Sequence, residues 1–194
     1  MFNDIGLPRE FFEALAQIDE KIVVQVAAGR CLVCGGPLHR SDFARKPRGA
    51  LMAAAGEAFV TRFSLCCGRD GCRKRATPPS LRFLGRRVYL GAVVILASVL
   101  AQAFTTAKAL RQATGVPART SRRWLSWWRG AFLLTGVFVN LRARLIGVVV
   151  EELPTSVLSR LGDTAESQVR SLLHWLTPLT TGSGNGSRLL RDIA

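Results

Sequence analysis

Two pairs of cysteines constrain the fold of this chain more than any other feature of its sequence. The segment "CLVCGGPLHR" carries Cys31 and Cys34, and the segment "FSLCCGRDGCRKR" carries Cys67 and Cys72. Both segments contain glycines that allow a tight turn, so that each pair can point two thiolates at one ion. Four cysteine thiolates form the closed tetrahedral site that is typical of structural zinc. The spacing therefore predicts a Zn²⁺-binding ribbon whose 32 intervening residues form a hairpin.

A fifth cysteine, Cys66, precedes Cys67 and is an alternative ligand in its place. If "AFVTRFSL" is a strand, adjacent side chains point to opposite faces, and only one of the two thiols can face the ion. We favour Cys67 and keep Cys66 as the alternative. His39 lies five residues beyond Cys34, and we expect an exposed surface histidine rather than a ligand.

Hydrophobic periodicity predicts an α+β fold that is mostly helical. We expect strands near residues 38–44 and 58–65, and a third strand near 81–85. The predicted organisation is an N-terminal amphipathic helix within 1–30, a zinc ribbon over 31–84, a helix-turn-helix within 85–134, a C-terminal helical segment over 135–179 and a flexible tail over 180–194.

The most apolar window of the chain, residues 88–104, has to be tested as a membrane span. Its 17 residues are at the lower limit of the roughly 17 to 25 that cross a bilayer. Gly91, Ser98 and Gln102 interrupt it. We therefore predict a buried core helix and no membrane partner.

Residues 105–132, "TTAKALRQATGVPARTSRRWLSWWRGAF", contain two helical patterns. Thr105 or Thr106 can cap the first helix, Gly115 can end it, and Pro117 suits the opening turn of the second. Two short helices joined by so tight a turn form a helix-turn-helix. Trp124 is expected to anchor the inner face of the second helix.

Positive charge is concentrated in the middle of the chain. The net charge is +14, and residues 40–129 hold eighteen basic and three acidic side chains. Such a block suits a polyanion, because each neutralised phosphate releases counterions. Duplex DNA is the leading partner; RNA remains open, and an anionic membrane surface ranks second to nucleic acid. The candidate DNA-binding residues are Arg119, Thr120, Arg122 and Arg123 on the second helix, and Arg45, Lys46, Arg48, Arg73, Lys74, Arg75, Arg86 and Arg87 on loops that would contact phosphate.

Compartment and chemistry can also be predicted. The acidic, amphipathic start of the chain does not resemble a secretory signal, so we expect a cytoplasmic protein in which cysteines bind metal.

The sequence shows no catalytic pair of a nucleophile with a general base, and no glycine-rich loop that could cradle a phosphate. The carboxylates of Glu151, Glu152, Asp163 and Glu166 are expected to be solvated charges on helices. We therefore expect no enzymatic activity.

The four-cysteine ribbon, the basic "RKRATPPS" loop and the helix-turn-helix together resemble the front end of bacterial insertion-sequence transposases and small transposon-associated proteins. The resemblance covers about residues 31–130. It implies binding to transposon-end DNA, so we expect an accessory or regulatory factor with a transposition complex as a further partner. The apolar positions of the C-terminal helical segment, Leu153 to Trp175, are expected to pack back on the core, with a homodimer as the alternative. Transposases of the acidic-triad type also carry a ribonuclease-H-like domain, which we do not recognise here. The alternatives are a protein-interaction scaffold and an RNA-binding zinc ribbon.

Overall fold

A computed structural model describes residues 7–48, 55–56, 59–84 and 89–181. It confirms a mostly helical α+β fold, with seven helices and five short strands in the described part of the chain. The predicted tail lies outside the described residues from position 182 onward. The elements in chain order are α1 (Arg9–Ala28), β1 (Leu38–Arg40), β2 (Phe43–Ala44), β3 (Thr61–Arg62), β4 (Leu65–Cys67), β5 (Arg75–Ala76), α2 (Gly91–Ala103), α3 (Ala107–Thr114), α4 (Ala118–Arg129), α5 (Gly136–Arg144), α6 (Thr155–Leu158) and α7 (Ala165–Leu176).

The predicted hairpin is present as two short antiparallel ladders. β1 pairs with β4, so that Leu38 lies opposite Cys67, and β2 pairs with β3. Between the ladders the carboxylate of Asp42 accepts a hydrogen bond from the backbone N–H of Ser64 at 2.9 Å. The side chain thus satisfies a backbone donor where the ladder is interrupted.

The third strand is not where the sequence pattern placed it. The second partner of β4, besides β1, is β5, and residues 81–85 form no strand in the described part of the chain. The backbone there bonds to a side chain instead of a neighbouring strand: the N–H of Leu81 donates to the carboxylate of Asp19 at 2.7 Å. The prediction of a strand near 81–85 was therefore wrong: apolar side chains in this segment, such as Phe83, fill the core, and the backbone of Phe83 forms only an isolated antiparallel bridge with Leu90.

The predicted core helix is confirmed as α2. All ten residues from Gly91 to Leu100 are buried. Its polar residues dock neighbouring elements: Ser98 Oγ accepts a hydrogen bond from Trp128 Nε1 at 3.1 Å, and Gln102 Nε2 donates to the carbonyl of Leu153 at 3.2 Å. Among the described residues, no helix combines the length and the apolar character needed to cross a membrane.

One hydrophobic core joins the N-terminal, central and C-terminal elements. In α1, Phe12 packs edge to face against Phe59, with ring centroids 5.2 Å apart. The C-terminal segment packs back onto this core through buried apolar side chains, which include Leu153, Leu172 and Leu173. A Cβ at Gly91 would lie 2.6 Å from Leu173 Cδ2, so glycine allows α2 and α7 to approach closely.

A buried carboxylate lies at the centre of this arrangement. Asp19 of α1 is 0% exposed, and it accepts hydrogen bonds from Ser80 Oγ at 2.5 Å and from Arg82 Nε at 2.8 Å. The guanidinium of Arg82 also stacks 4.2 Å from the ring centroid of Phe63. The backbone N–H of Ser80 donates to Thr180 Oγ1 at 3.0 Å. One cluster therefore connects α1, the hairpin and the C-terminal end of the described chain.

A second buried arginine lies beside this cluster. Arg62 is 1% exposed, and its Nη2 donates to the carbonyl of Pro78 at 2.6 Å. Burial lowers the pKa of Arg62 to about 10. Asp19 partly offsets this effect by its charge, whereas Arg82 adds to it. In the part of the chain that the structure describes, the core thus contains two buried guanidinium groups and one buried carboxylate, and the carboxylate offsets the cost of their burial.

We predict that Asp19→Asn strongly destabilises the protein. The substitution keeps the side-chain volume but leaves Arg82 buried without its counter-charge, which costs about 3 to 5 kcal/mol of unfolding free energy. Urea denaturation followed by tryptophan fluorescence measures this change. The matched control is Glu20→Gln, which breaks the half-exposed pair with Arg40 and should cost less than about 1 kcal/mol. Equal midpoints for the two variants would contradict the central role of Asp19.

Candidate metal centre and nucleic-acid interface

Four cysteine sulfurs converge at the end of the hairpin. The Sγ atoms of Cys31, Cys34, Cys67 and Cys72 all lie within 4.8 Å of one another. Cys31 Sγ is 3.8 Å from Cys72 Sγ, and Cys34 Sγ is 3.4 Å from Cys67 Sγ. A tetrahedral ion with metal–sulfur bonds of about 2.3 Å would hold its ligand sulfurs about 3.8 Å apart. The cluster therefore has the spacing to hold one four-coordinate metal ion.

The first turn of the site depends on two glycines. Gly35 has a left-handed backbone with φ of +68°, and its N–H donates to the carbonyl of Cys31 at 2.7 Å. Gly36 lies against the sulfurs: a Cβ there would come within 3.0 Å of Cys67 Sγ and 3.3 Å of Cys34 Sγ. The sequence "CLVCGG" thus combines a turn that needs positive φ with a position where a side chain would crowd two of the sulfurs.

The second turn is held by hydrogen bonds around Arg69. The N–H of Cys72 donates to the carbonyl of Arg69 at 3.2 Å, and Gly71 adopts the left-handed conformation with φ of +80°. The backbone N–H of Arg69 lies 3.5 Å from Cys67 Sγ, and its guanidinium donates to the carbonyl of Cys34 at 2.8 Å. Arg69 therefore connects the two cysteine turns directly.

The thiols of the cluster differ in acidity. Backbone N–H groups of Val33 and Cys34 lower the pKa of Cys31 to about 7. At Cys67 the N–H of Arg69 also lowers the pKa, but burial and the neighbouring thiols outweigh it and raise the value to about 12. Thiols packed this closely resist ionising together, and a bound cation would favour the thiolate of each.

Cys66 and His39 lie outside the cluster of four sulfurs. On β4 the side chain of Cys67 is fully buried at the site, whereas Cys66 points away and its Sγ donates to the carbonyl of Arg73 at 3.5 Å. The alternation of a strand thus separates the two adjacent thiols, as expected. His39 pairs with Cys66 across the ladder and is exposed, which agrees with its prediction as a surface residue.

The basic candidates of the ribbon are placed differently from one another. Arg45 points inward: it is half-buried, its guanidinium lies 5.5 Å from the Phe83 ring centroid, and burial lowers its pKa. Arg86 and Arg87 lie outside the described residues. The remaining candidates on the ribbon are exposed, namely Lys46, Arg48, Arg73, Lys74 and Arg75.

The two helices of the predicted helix-turn-helix are α3 and α4, and they are joined by a three-residue turn. Thr106 Oγ1 accepts a hydrogen bond from the N–H of Ala109 at 3.3 Å at the start of α3. Gly115 ends that helix with φ of +65°, and its N–H donates to the carbonyl of Arg111 at 2.9 Å. The side chain of Thr114 accepts from the N–H of Val116 at 3.1 Å, which closes the turn.

Helix α4 has one buried and one charged face. Trp124, Trp127 and Trp128 are buried, and Ser121 is buried on the same side of the helix. Trp124 is therefore on the inner face, as predicted. The outer face carries the candidate nucleic-acid contacts: Arg119, Arg122 and Arg123 are exposed and Thr120 is partly buried.

Tyr89 and Asp19, which the sequence pattern did not mark as functional residues, connect elements that lie around the two sites. Tyr89 packs edge to face on Trp124, with ring centroids 5.0 Å apart, and its backbone forms a parallel β-bridge with Arg48. Asp19 connects α1 to the segment after the second cysteine turn. The signal that could have drawn attention to Asp19 was its place among the apolar positions of an amphipathic helix, where a carboxylate requires a partner.

Comparisons with known proteins give no match: no family model fits the chain, and neither curated proteins nor solved structures match it. The function of this chain is therefore inferred from the geometry of its sites.

We predict that Cys34→Ser abolishes stoichiometric metal binding and unfolds the hairpin, because three thiolates no longer close the site. Cys66→Ser is the matched control, since its sulfur points away from the cluster; it should retain one ion per chain. Elemental mass spectrometry of the purified proteins measures metal content and identifies the ion. Proteolysis of the hairpin reports its folding. Loss of the ion in the Cys66 variant would show that the assignment of the ligands is wrong.

Proposed function

We propose that this protein is a zinc-stabilised DNA-binding protein in which α4 enters the major groove of duplex DNA. The observation that carries the proposal is the two-faced character of α4. Three buried tryptophans fix its inner face, and Arg119, Arg122 and Arg123 project from its outer face directly after a tight turn. The net charge of +14 attracts a polyanion through long-range electrostatic steering, which speeds association.

The dimensions of α4 suit this role. A helix of 12 residues is about 18 Å long, and the major groove, about 12 Å wide, admits a helix. In a helix-turn-helix the N-terminal residues of the second helix contact the base edges. Here those residues include Arg119, Arg122 and Arg123, and an arginine can bind guanine through two hydrogen bonds.

Zinc is the metal that we propose for the cysteine cluster. Four thiolates around a tetrahedral position favour zinc, and a closed set leaves no open coordination position for catalysis. The metal's role would be structural: in small metal domains binding contributes on the order of 10 kcal/mol to folding. It would hold in place the exposed charges that follow the second cysteine turn, Arg73, Lys74 and Arg75.

We infer a binding role rather than an enzymatic one. Glu151, Glu152, Asp163 and Glu166 are all exposed. In the described part of the chain, the one group of three or more possible metal ligands is the cysteine cluster. This arrangement favours a binding protein over one that holds two metal ions between convergent carboxylates. The further proposal that it serves a mobile element, as an accessory or regulatory factor, rests on the resemblance of its ribbon and helix-turn-helix to transposase front ends.

A protein-interaction scaffold is the second candidate, and one observation favours it. Leu32 and Val33, at the tip of the first cysteine turn, are 99% and 69% exposed. Apolar side chains presented on a rigid metal-bound turn would suit a protein partner. In that case affinity for nucleic acid would be weak or independent of salt, because phosphate contacts must weaken as salt rises.

A salt series of binding to duplex DNA, single-stranded DNA and duplex RNA tests the proposal. Purified protein of measured zinc content should prefer duplex DNA, with affinity that falls steeply with salt and is lost after chelation of the metal. Preference for duplex RNA would favour the RNA-binding alternative. No binding to any of the three by zinc-loaded protein would favour the scaffold.

We predict that Arg122→Ala combined with Arg123→Ala weakens binding to a selected duplex at least tenfold, because a specific bidentate contact is worth about 1 to 3 kcal/mol. The fold should remain intact, since both side chains lie on the outer face of α4. The control with the same change in charge is Arg142→Ala combined with Arg170→Ala, on exposed positions of α5 and α7. Fluorescence anisotropy measures the affinities. Equal affinity for both double variants would contradict the assignment of α4.

A further inference from the structure

The hairpin is connected to α4 through two contacts in series. The backbone of Arg48, beyond β2, pairs with the backbone of Tyr89 in a parallel bridge. The ring of Tyr89 then packs against Trp124 on the inner face of α4, at 5.0 Å between centroids. The segment that follows β2 therefore has a fixed position beside the second helix of the helix-turn-helix.

The side chains of residues 45–48 alternate between half-buried and exposed positions. Arg45 and Pro47 are half-buried, whereas Lys46 and Arg48 are exposed. In an extended chain, residues two positions apart lie on the same face. Pro47 supports the extended form, because the residue before a proline is disfavoured in the helical region. Lys46 and Arg48 consequently project from one outer edge, and Arg45 faces Phe83 in the core.

The distance from this edge to α4 is short on the scale of DNA. Neighbouring strands lie about 4.8 Å apart, and a helix with its side chains is about 10 to 12 Å across. The two contacts through Tyr89 therefore place the Arg48 backbone and the outer face of α4 closer together than one turn of B-DNA, about 34 Å. A separation of this size is within the reach of one duplex.

We propose that Lys46 and Arg48 contact the phosphate backbone of the same duplex that α4 reads, within one helical turn of the bases that α4 contacts. This inference rests on the proposed function, and it gives the predicted phosphate contacts of Lys46 and Arg48 a defined place relative to α4 on the same duplex. Exposed lysine and arginine on an extended edge suit phosphate oxygens, so the pair adds affinity and fixes orientation while α4 supplies the sequence preference.

The test compares wild-type protein with Lys46→Ala combined with Arg48→Ala. The bridge to Tyr89 uses backbone atoms, so this double variant keeps the connection to α4. The probe is a duplex that wild-type protein selects from a random library. Because each phosphate contact contributes about 0.9 to the slope of log K against log salt, the slope should fall in magnitude by about 2. Preference among mutated duplexes should stay unchanged.

Hydroxyl-radical footprinting locates the lost contact. The variant should lose protection of one backbone segment, and that segment should lie within one turn of the segment whose protection is lost in the Arg122 and Arg123 variant. The control, Arg142→Ala combined with Arg170→Ala, should keep the wild-type footprint and salt slope.

The outcomes separate this inference from the proposed function. If wild-type protein binds no duplex, both are overturned. If the α4 variant loses affinity while the Lys46 and Arg48 variant behaves like the control, only the inference is overturned. A lost segment more than one turn from the α4 contacts would also overturn it, because the connection through Tyr89 does not span that distance.

Discussion

The buried carboxylate of Asp19 is the interaction on which the arrangement of the chain depends. It accepts hydrogen bonds from Ser80, from the N–H of Leu81 and from Arg82, and Ser80 in turn connects to Thr180. An unpaired arginine in a core is costly, so the carboxylate and the guanidinium require each other. This mutual requirement fixes α1 against the segment that leads from the cysteine turns into the core helix α2.

The hairpin between these elements is too short to be stable alone. Its ladders contain two or three residues on each strand, and isolated two-stranded hairpins are marginal in water. The cysteine cluster lies at one end, where Leu38 pairs with Cys67, and Arg62 is buried near the other. Stability of the ribbon therefore comes from its two ends: a metal ion would secure the first, and burial around Asp19 secures the second.

The placement of α4 follows from contacts made by its tryptophans. Trp128 donates to Ser98 in α2, and Trp124 packs on Tyr89 just before that helix. Large aromatic side chains bury extensive area and have few rotatable bonds, so they hold one orientation of the helix firmly. The arginines on the opposite face are consequently exposed, which is the condition that the proposed DNA contact requires.

Features encoded within a few residues could be predicted from the sequence: the two cysteine pairs with their glycine turns, the core helix, and the helix-turn-helix with Gly115 at its turn. In these cases neighbouring residues specify turn geometry, spacing or apolar character by themselves. The sequence could not pair Asp19 with Arg82, separate the inward Arg45 from the outward Arg48, or place the third strand at β5. Those outcomes depend on residues far along the chain, and only the packed core brings these residues together. A buried charge, for example, is tolerated only where a distant counter-charge or aromatic ring lies beside it.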